Sequence, residues 1–188
     1  EMQRSLVGSE MCIRDRMYDH SPIHHIEYRI KSLDSIVDKL KRRGFEVSID
    51  NIYAHIQDLA GIRVICNYLD DIYYLRSLLT RFESFEVIRE VDYIKNPKPS
   101  GYRSLHLVVN VPIVISEGTM VLPVEIQLRT IAMDMWASLE HELRYKSERQ
   151  FTDDDAARLR LCSDAISEID QEMQDIYPVS YTHLRAHE

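Results

Sequence analysis

A chain of 188 residues with a formal charge of −8 and hydrophobic residues at 45% has the apolar material for one soluble domain with a real core. The acidic balance excludes wholesale electrostatic binding of nucleic acid, so no DNA partner is expected, while local basic pockets stay open. No apolar run approaches membrane-spanning length, and Cys12, Cys66 and Cys162 form neither a disulfide framework nor a zinc spacing, which points to a reducing, cytoplasmic setting.

In chain order, the first feature is that the two ends resemble nothing between them. Met11–Asp15 can be encoded atg tgt ata aga gac, whose reverse complement encodes Val-Ser-Tyr-Thr-His, the residues of Val179–His183. An inverted repeat in the coding DNA at both ends marks a translated sequencing-library transposon end. Residues 1–16 and 179–188 are therefore set aside as adapter remnants, and residues 17–178 are expected to be a natural domain truncated at both ends. As many acidic as basic residues leave with the ends, so the net charge stays at −8.

"SLDSIVDKLKRR", Ser32–Arg43, places Leu33, Ile36, Val37 and Leu40 at helical spacing, with Ser32 as cap and Gly44 as stop. A second helix is expected over Asn51–Gln57, followed by "GIRVICNY" as a buried strand. Asp70–Arg81 returns to helical periodicity, "FEVIREVDYI" alternates, and "NPKPSG" is a loop by its proline and glycine content. Ser100–Ile115 and Thr119–Arg129 read as two long strands joined through "SEGT", an antiparallel hairpin. Ile131–Lys146 and Thr152–Ile176 are helices, the second opened by Thr152 with acids in its first turn. The simplest architecture is one mixed sheet with helices packed on it, an α/β (α+β) domain.

Within "VLPVEIQLRT", Val124, Ile126 and Leu128 fall on one face of the strand and Glu125, Gln127 and Arg129 on the other. A half-solvated strand has the same pattern. Two neighbours, however, carry similar polar positions: Tyr102, Ser104 and His106 at period two, and Asp58 and Arg63 around the start of a third strand. Asp58 and Glu125 are the carboxylates placed together, as a magnesium site completed by substrate phosphates or, alternatively, as two solvated acids. Arg29 and Lys31 are expected at the start of the first helix, whose N-terminal amides favour anions, and Lys39 lies two turns on; a solvated basic face is the alternative. Tyr102 follows Gly101, which leaves one ring face open for a flat base, against ordinary core packing. His106 and Gln127 point to one face if the hairpin is in register. Met133, Trp136 and Leu139 share a helix face and are assigned to the core. Ala157, Leu161, Ala165 and Ile169 form an apolar stripe that packs either on the chain's own sheet or on another subunit. His24 and His25 lack partners at metal-ligand spacing.

In their joint order, "YRIKSLDSIVDK", "DLAGIRVICNY", "DYIKNPKPSGYRSLHLVV" and "VEIQLRTIAMDMWASLEHELRYK" resemble the synthetase domain of the RelA/SpoT homologue superfamily, nearest to its stand-alone small alarmone synthetases. The resemblance covers nearly all of residues 17–176. It implies a nucleotidyltransferase-like mixed sheet and Mg2+-dependent pyrophosphate transfer from ATP to the 3′-hydroxyl of GDP or GTP, giving ppGpp or pppGpp and AMP. It further implies that Asp58 and Glu125 are the metal-binding carboxylates, with Glu125 assisting deprotonation of the acceptor. Arg29, Lys31 and Lys39 become ATP-binding residues, with Arg63 and Arg29 flanking adenine. Tyr102 becomes the guanine platform, Lys98 and His106 acceptor-binding residues, and Gln127 the companion of Glu125. Asp134 would accept guanine N1–H and N2–H, with Ala137 lining the same pocket. Small relatives of this kind are homotetramers built through terminal helices.

Departures from that pattern carry their own expectations. Tyr28 stands where glycine is common before the Arg-x-Lys element and is expected to crowd the ATP loop. Val91 in "REVD" replaces a residue often charged, which leaves GDP against GTP open. The leading helix before "HSPI" is missing and the last helix stops short, which is expected to weaken assembly. No His-Asp dipeptide occurs, so the hydrolase half of long relatives is not expected. The rival reading is a non-catalytic module of the same fold that binds guanine nucleotide or single-stranded RNA and regulates a partner.

Overall fold

The structure is a computed structural model and describes residues 21–56, 58–82, 85–116, 118–145 and 150–177; the adapter-like ends lie outside the described residues. Its elements are β1 (Ile23–Ile30), α1 (Leu33–Arg42), α2 (Ile49–His55), β2 (Ala60–Cys66), α3 (Leu69–Arg81), β3 (Glu86–Asp92), β4 (Leu105–Ile115), β5 (Gly118–Thr130), α4 (Ile131–Tyr145) and α5 (Asp153–Ile176). The strands form one mixed sheet in the order β1-β2-β5-β4-β3, in which β2 and β5 run parallel and every other pair antiparallel.

Residue parity separates the two faces of the sheet. Val64, Cys66, Leu105, Leu107, Val109, Val124, Ile126 and Leu128 pack with Ile72, Tyr74 and Leu75 of α3 and Met133 of α4 as the main core. The opposite face carries the polar residues of the site. A smaller cluster of Ile36, Leu40 and Ile56 joins α1 to α2.

Side-chain caps set the helix starts: Ser32 Oγ accepts from Ser35 N at 3.4 Å and Ser48 Oγ from Asn51 N at 3.2 Å. Ser48 is why α2 begins at Ile49, ahead of the expected Asn51. Thr152 and Asp155 form a reciprocal capping box at α5. The strand expected from Ser100 begins only at Leu105, because residues 100–104 belong to a loop held by other contacts.

Two expectations are corrected, and one open alternative, the packing of the α5 stripe, is decided. Arg29 and Lys31 do not open a helix: Arg29 is the penultimate residue of β1, and Lys31 bridges β1 to the Ser32 cap. The reason is legible in "IHHIEYRI", where Ile26, Tyr28 and Ile30 alternate with polar residues. Leu139 is not core. The first turns of α4 bury Met133, Trp136 and Ala137, while Leu139 is 52% exposed in a line with Met135 and Leu143, four residues apart. The α5 stripe does not pack on its own sheet either: Leu161 and Ile169 are 69% and 59% exposed, and the helix instead buries Ser163, Asp170 and Gln174. Those three make hydrogen bonds to Gly101 O, Thr130 Oγ1 and Asp70 N.

Truncation separates the two kinds of leucine. Leu107→Ala is expected to cost about 2–5 kcal/mol in urea unfolding, as for a fully buried leucine, whereas Leu139→Ala stays within about 0.5 kcal/mol. Equal losses would return Leu139 to the core.

Candidate active site

The register places one polar row across three strands. Arg29 lies opposite Gly61 and Glu27 opposite Arg63 between β1 and β2; Gly61 lies opposite Glu125 and Arg63 opposite Gln127 between β2 and β5. His106 of β4 pairs with Gln127, so the hairpin register expected from sequence holds. Gly61 has no side chain and leaves the floor bare between Arg29 and Glu125. The result is a cleft of about 330 Å3 lined by Arg29, Lys31, Asp58, Arg63, Glu125 and Gln127, with Glu27 and Tyr28 also on its wall. Tyr28, at the position expected to crowd this end, does line it.

Asp58 precedes β2 and receives two ammonium groups, Lys31 Nζ at 2.7 Å and Lys39 Nζ at 2.8 Å. Burial acts to raise its carboxyl, and the two lysines outweigh that and hold it below the usual carboxylate range. Glu125 is also held low, chiefly by His106, whose Nδ1 lies 3.4 Å from Oε1, with further help from Gln127 Nε2, which donates to Oε2 at 2.9 Å; burial and the nearby Asp58 oppose the shift. Both acids are therefore ionised at neutral pH and repel one another across the cleft. Beyond them lies a narrower recess of about 70 Å3, lined by Lys39, Arg43, His55 and Arg89 as well as by both carboxylates.

On the other side of Glu125 a hydrogen-bonded chain leads to an aromatic group. Arg129 Nη2 donates to Tyr102 Oη at 2.5 Å, and Tyr102 Oη lies 2.8 Å from His106 Nε2. With the tyrosine hydroxyl donating to Nε2, the Nδ1–H of His106 faces Glu125. Lys98 Nζ stands over both the Tyr93 and Tyr102 rings, at 4.7 and 4.6 Å, and the Arg129 guanidinium over Tyr102 at 5.0 Å. Asp134 Oδ1 accepts from Arg129 Nη1 at 3.0 Å and lies 3.5 Å from Arg63.

The residues singled out from sequence thus fall into two groups. Arg29, Lys31, Asp58, Arg63, Glu125 and Gln127 meet in the cleft with Lys39 behind Asp58; Lys98, Tyr102 and Asp134 gather around Arg129, linked to the cleft through His106. Ala137 is buried one turn beyond Met133 and lines neither cavity. Sequence reasoning missed Arg129 as an organiser, although its period-two spacing from Gln127 carried the signal; it is 4% exposed and joins Tyr102, Gln127 and Asp134. It also missed Arg43, His55 and Arg89, which only the fold brings together.

Ionised carboxylates ringed by cations, open on one face of a mixed sheet, define a site that handles phosphate esters. The chain belongs to the RelA/SpoT family: residues 28–150 match the region found in RelA / SpoT proteins. It is 44% identical over 142 residues to the GTP pyrophosphokinase YwaC of Bacillus subtilis, covering 73% of this chain and 68% of that protein. It is 40% identical over 158 residues to the GTP pyrophosphokinase YjbM of the same organism, covering 84% and 74%. The crystal structure of small alarmone synthetase 1 from Bacillus subtilis bound to its product pppGpp superposes with a TM-score of 0.82 at 37% identity, covering 93% of this chain and 88% of that one.

The acid chemistry has a definite sign. A carboxyl held low in the folded state adds stability above its unfolded pKa, and that contribution disappears as pH falls through the folded value. Replacing His106 by Phe removes the largest influence on Glu125. Its side-chain carbon resonance should then titrate at higher pH than in the wild type, and the stability gained from that carboxyl, present above about pH 4.3, should shrink. An unmoved Glu125 titration would show that His106 does not control it.

Proposed function

We propose that this protein transfers the pyrophosphoryl group of ATP to the 3′-hydroxyl of GDP or GTP, forming ppGpp or pppGpp and AMP. The observation that carries the reading is the pairing of ionised Asp58 and Glu125 in one cleft, with cations on the donor side and the His106–Tyr102 chain on the acceptor side. The similarity to two GTP pyrophosphokinases and to a synthetase holding pppGpp as product supports it. A non-catalytic module of the same fold is not favoured, because both carboxylates are in place.

In this reading the acceptor 3′-oxygen attacks the β-phosphorus of ATP. The bond from that phosphorus to the oxygen bridging to the α-phosphorus breaks, AMP leaves with that oxygen, and the hydroxyl proton passes to Glu125. Such transfers ask the protein mainly for alignment and charge neutralisation. Lys31 and Lys39 neutralise donor phosphates, and Asp58 holds both ammonium groups in place beforehand, so little reorganisation remains when the phosphates arrive. Arg29 and Arg63 flank the adenine. Glu125 is a weak proton acceptor while its carboxyl is held low; phosphate charge brought alongside pushes it up and restores basicity.

Tyr102 offers its ring to guanine, with Lys98 and His106 beside it as acceptor-binding residues. Asp134, beside Ala137, stays in the reading as acceptor for the guanine N–H groups, with its Oδ1 also serving Arg129. Asp58 and Glu125 are the residues that would hold Mg2+, and their oxygen-only donor set fits a hard cation. Among the described residues no group of three or more acidic, histidine or cysteine side chains could hold a metal ion alone, so the remaining ligands would come from substrate phosphates and water. Bound there, the ion would neutralise charge on the transferred group. A cytoplasmic setting belongs to the same reading, supported by Cys66 and Cys162 as free thiols.

Product analysis with ATP, Mg2+ and GDP tests the chemistry: AMP and a 3′-pyrophosphorylated nucleotide are expected, and release of inorganic pyrophosphate would overturn it. Glu125→Gln should lower turnover by roughly 100- to 10,000-fold with circular dichroism unchanged, as for loss of a positioned acid–base group.

The reading also includes a homo-oligomer, a tetramer at full length. Its support is the exposed apolar residues Met135, Leu139 and Leu143 of α4 and Leu161, Ile169 and Met173 of α5. Light scattering should give a mass above the monomer that falls when Leu161 and Ile169 are both changed to Glu; an unchanged mass would assign the stripe to bulk solvent.

A further inference from the structure

The loop that carries Lys98 and Tyr102 has little structure of its own. Gly101 N donates to Lys98 O at 2.8 Å and Lys98 N to Tyr102 O at 3.2 Å, closing a tight turn before β4 starts at Leu105. The loop's side chains reach the sheet, Tyr102 through Arg129 and His106, and Ser104 through Leu128 O, while its backbone is braced by one face of α5. Ser163, 3% exposed, donates its hydroxyl to Gly101 O at 2.5 Å. Arg160 Nη1 donates to Pro99 O at 3.1 Å. Asp164 accepts from Arg103 Nη2 at 3.0 Å, while Arg103 Nη1 reaches back to Ile94 O at 3.3 Å. Arg160, Ser163 and Asp164 are three and four residues apart, so one helix face meets the loop on both sides of Gly101.

The packing is close enough to dictate a residue. Gly101 has φ +95, and a Cβ there would lie 2.8 Å from Ser163 Cβ and 3.1 Å from Arg160 Cδ. The glycine is required both by its backbone conformation and by the approach of the helix. The helix itself is anchored elsewhere: Trp136 Nε1 donates to Leu159 O at 2.9 Å, Thr130 Oγ1 to Asp170 at 2.5 Å, and Asp70 N to Gln174 at 2.9 Å. A strut tied at these points presents Ser163 to the loop at a fixed height.

We propose that Arg160, Ser163 and Asp164 of α5 are positioning residues for the acceptor nucleotide, holding the loop so that Lys98 and Tyr102 are presented already in place. The inference rests on the reading of Tyr102 as the guanine platform. Its effect is one-sided: the donor cations Arg29, Lys31 and Lys39 are carried by β1, α1 and the turn between them, whereas the hydrogen bonds described for the three side chains go to the loop or within α5.

The test is steady-state kinetics of the full chain with ATP and GDP varied separately, for Ser163→Ala, Asp164→Ala and Asp164→Glu. Loss of one such hydrogen bond is expected to raise the KM for GDP by about 3- to 10-fold while the KM for ATP and kcat stay within about twofold. Asp164→Glu, which keeps a carboxylate for Arg103, should recover most of what Asp164→Ala loses. Glu168→Ala, on the exposed face of the same helix, should change neither constant. If Ser163→Ala fails to fold by circular dichroism, Asp164→Ala decides, because Asp164 is partly exposed and its truncation opens no cavity. Parallel shifts in both KM values, or no shift in that for GDP, would overturn the inference alone. A wild-type chain that forms no product from ATP and GDP overturns the functional reading and this inference with it.

Discussion

The parallel pairing of β2 with β5 governs the geometry of the whole cleft. It sets Gly61 beside Glu125 and Arg63 beside Gln127, and through β1 it brings Arg29 and Glu27 into the same row. Side chains alternate along a strand, so a slip of one residue would turn Ile126 into the cleft and drive Glu125 into the apolar core. The core prevents the slip: Val124, Ile126 and Leu128 on β5 and Val64 and Cys66 on β2 are buried together against α3. Burial of one face thus fixes the chemistry of the other, and the cost of misregister is charged acids and an arginine in a hydrocarbon environment.

Several charges in the site are paired before any substrate is present. Asp58 bridges two lysines, Glu27 pairs with Arg63, and Asp134 pairs with Arg129. These pairs are partly or wholly withdrawn from water, where an unpaired cation would be costly and mobile. Arg129 illustrates the consequence: with its guanidinium spread over Tyr102, Gln127 and Asp134, it joins the end of β5, the start of α4 and the acceptor loop in one network. An arriving phosphate or base exchanges partners with groups already aligned, and this is how a chain with net negative charge can still offer cations to phosphates in a local pocket.

Much of this was legible from residue spacing. The α1 cap, the β4–β5 hairpin and the polar row of Glu125 and Gln127 follow from periodicity and turn chemistry, which are local properties. What was not legible depends on distant partners. The alternation in β1 is short and opens on two histidines, so it competes poorly with the helical pattern that follows until pairing with β2 fixes it as a strand. Leu139 shares the apolar character of Met133 and Trp136, yet exposure depends on which side of α4 meets the sheet and α5. Arg43, His55 and Arg89 come from α1, α2 and β3 and have no common spacing to reveal them. The resemblance to the family supplied the roles of Asp58, Tyr102 and Lys98; the coordinates supply the lysines on Asp58, the cations over Tyr102 and the path between them.

The last helix adds buried polar residues to the usual logic of an amphipathic element, beside partly buried Leu159 and Ile166. Apolar Leu161, Ile169 and Met173 face outward, and Ser163, Asp170 and Gln174 face the body, each hydrogen-bonded to a different element. Apolar contacts tolerate sliding and rotation by fractions of a turn, because dispersion and area burial have no strong direction. Hydrogen bonds in a dry interface do not, since displacement leaves a buried donor or acceptor without its partner. A helix seated by polar bonds at several points along its length has one axial position and one rotation. That fixes the face presented to the Gly101 turn and, on the opposite side, the apolar stripe. The acceptor loop and the outward surface therefore share one rigid element, and a change in how that element is seated acts on both.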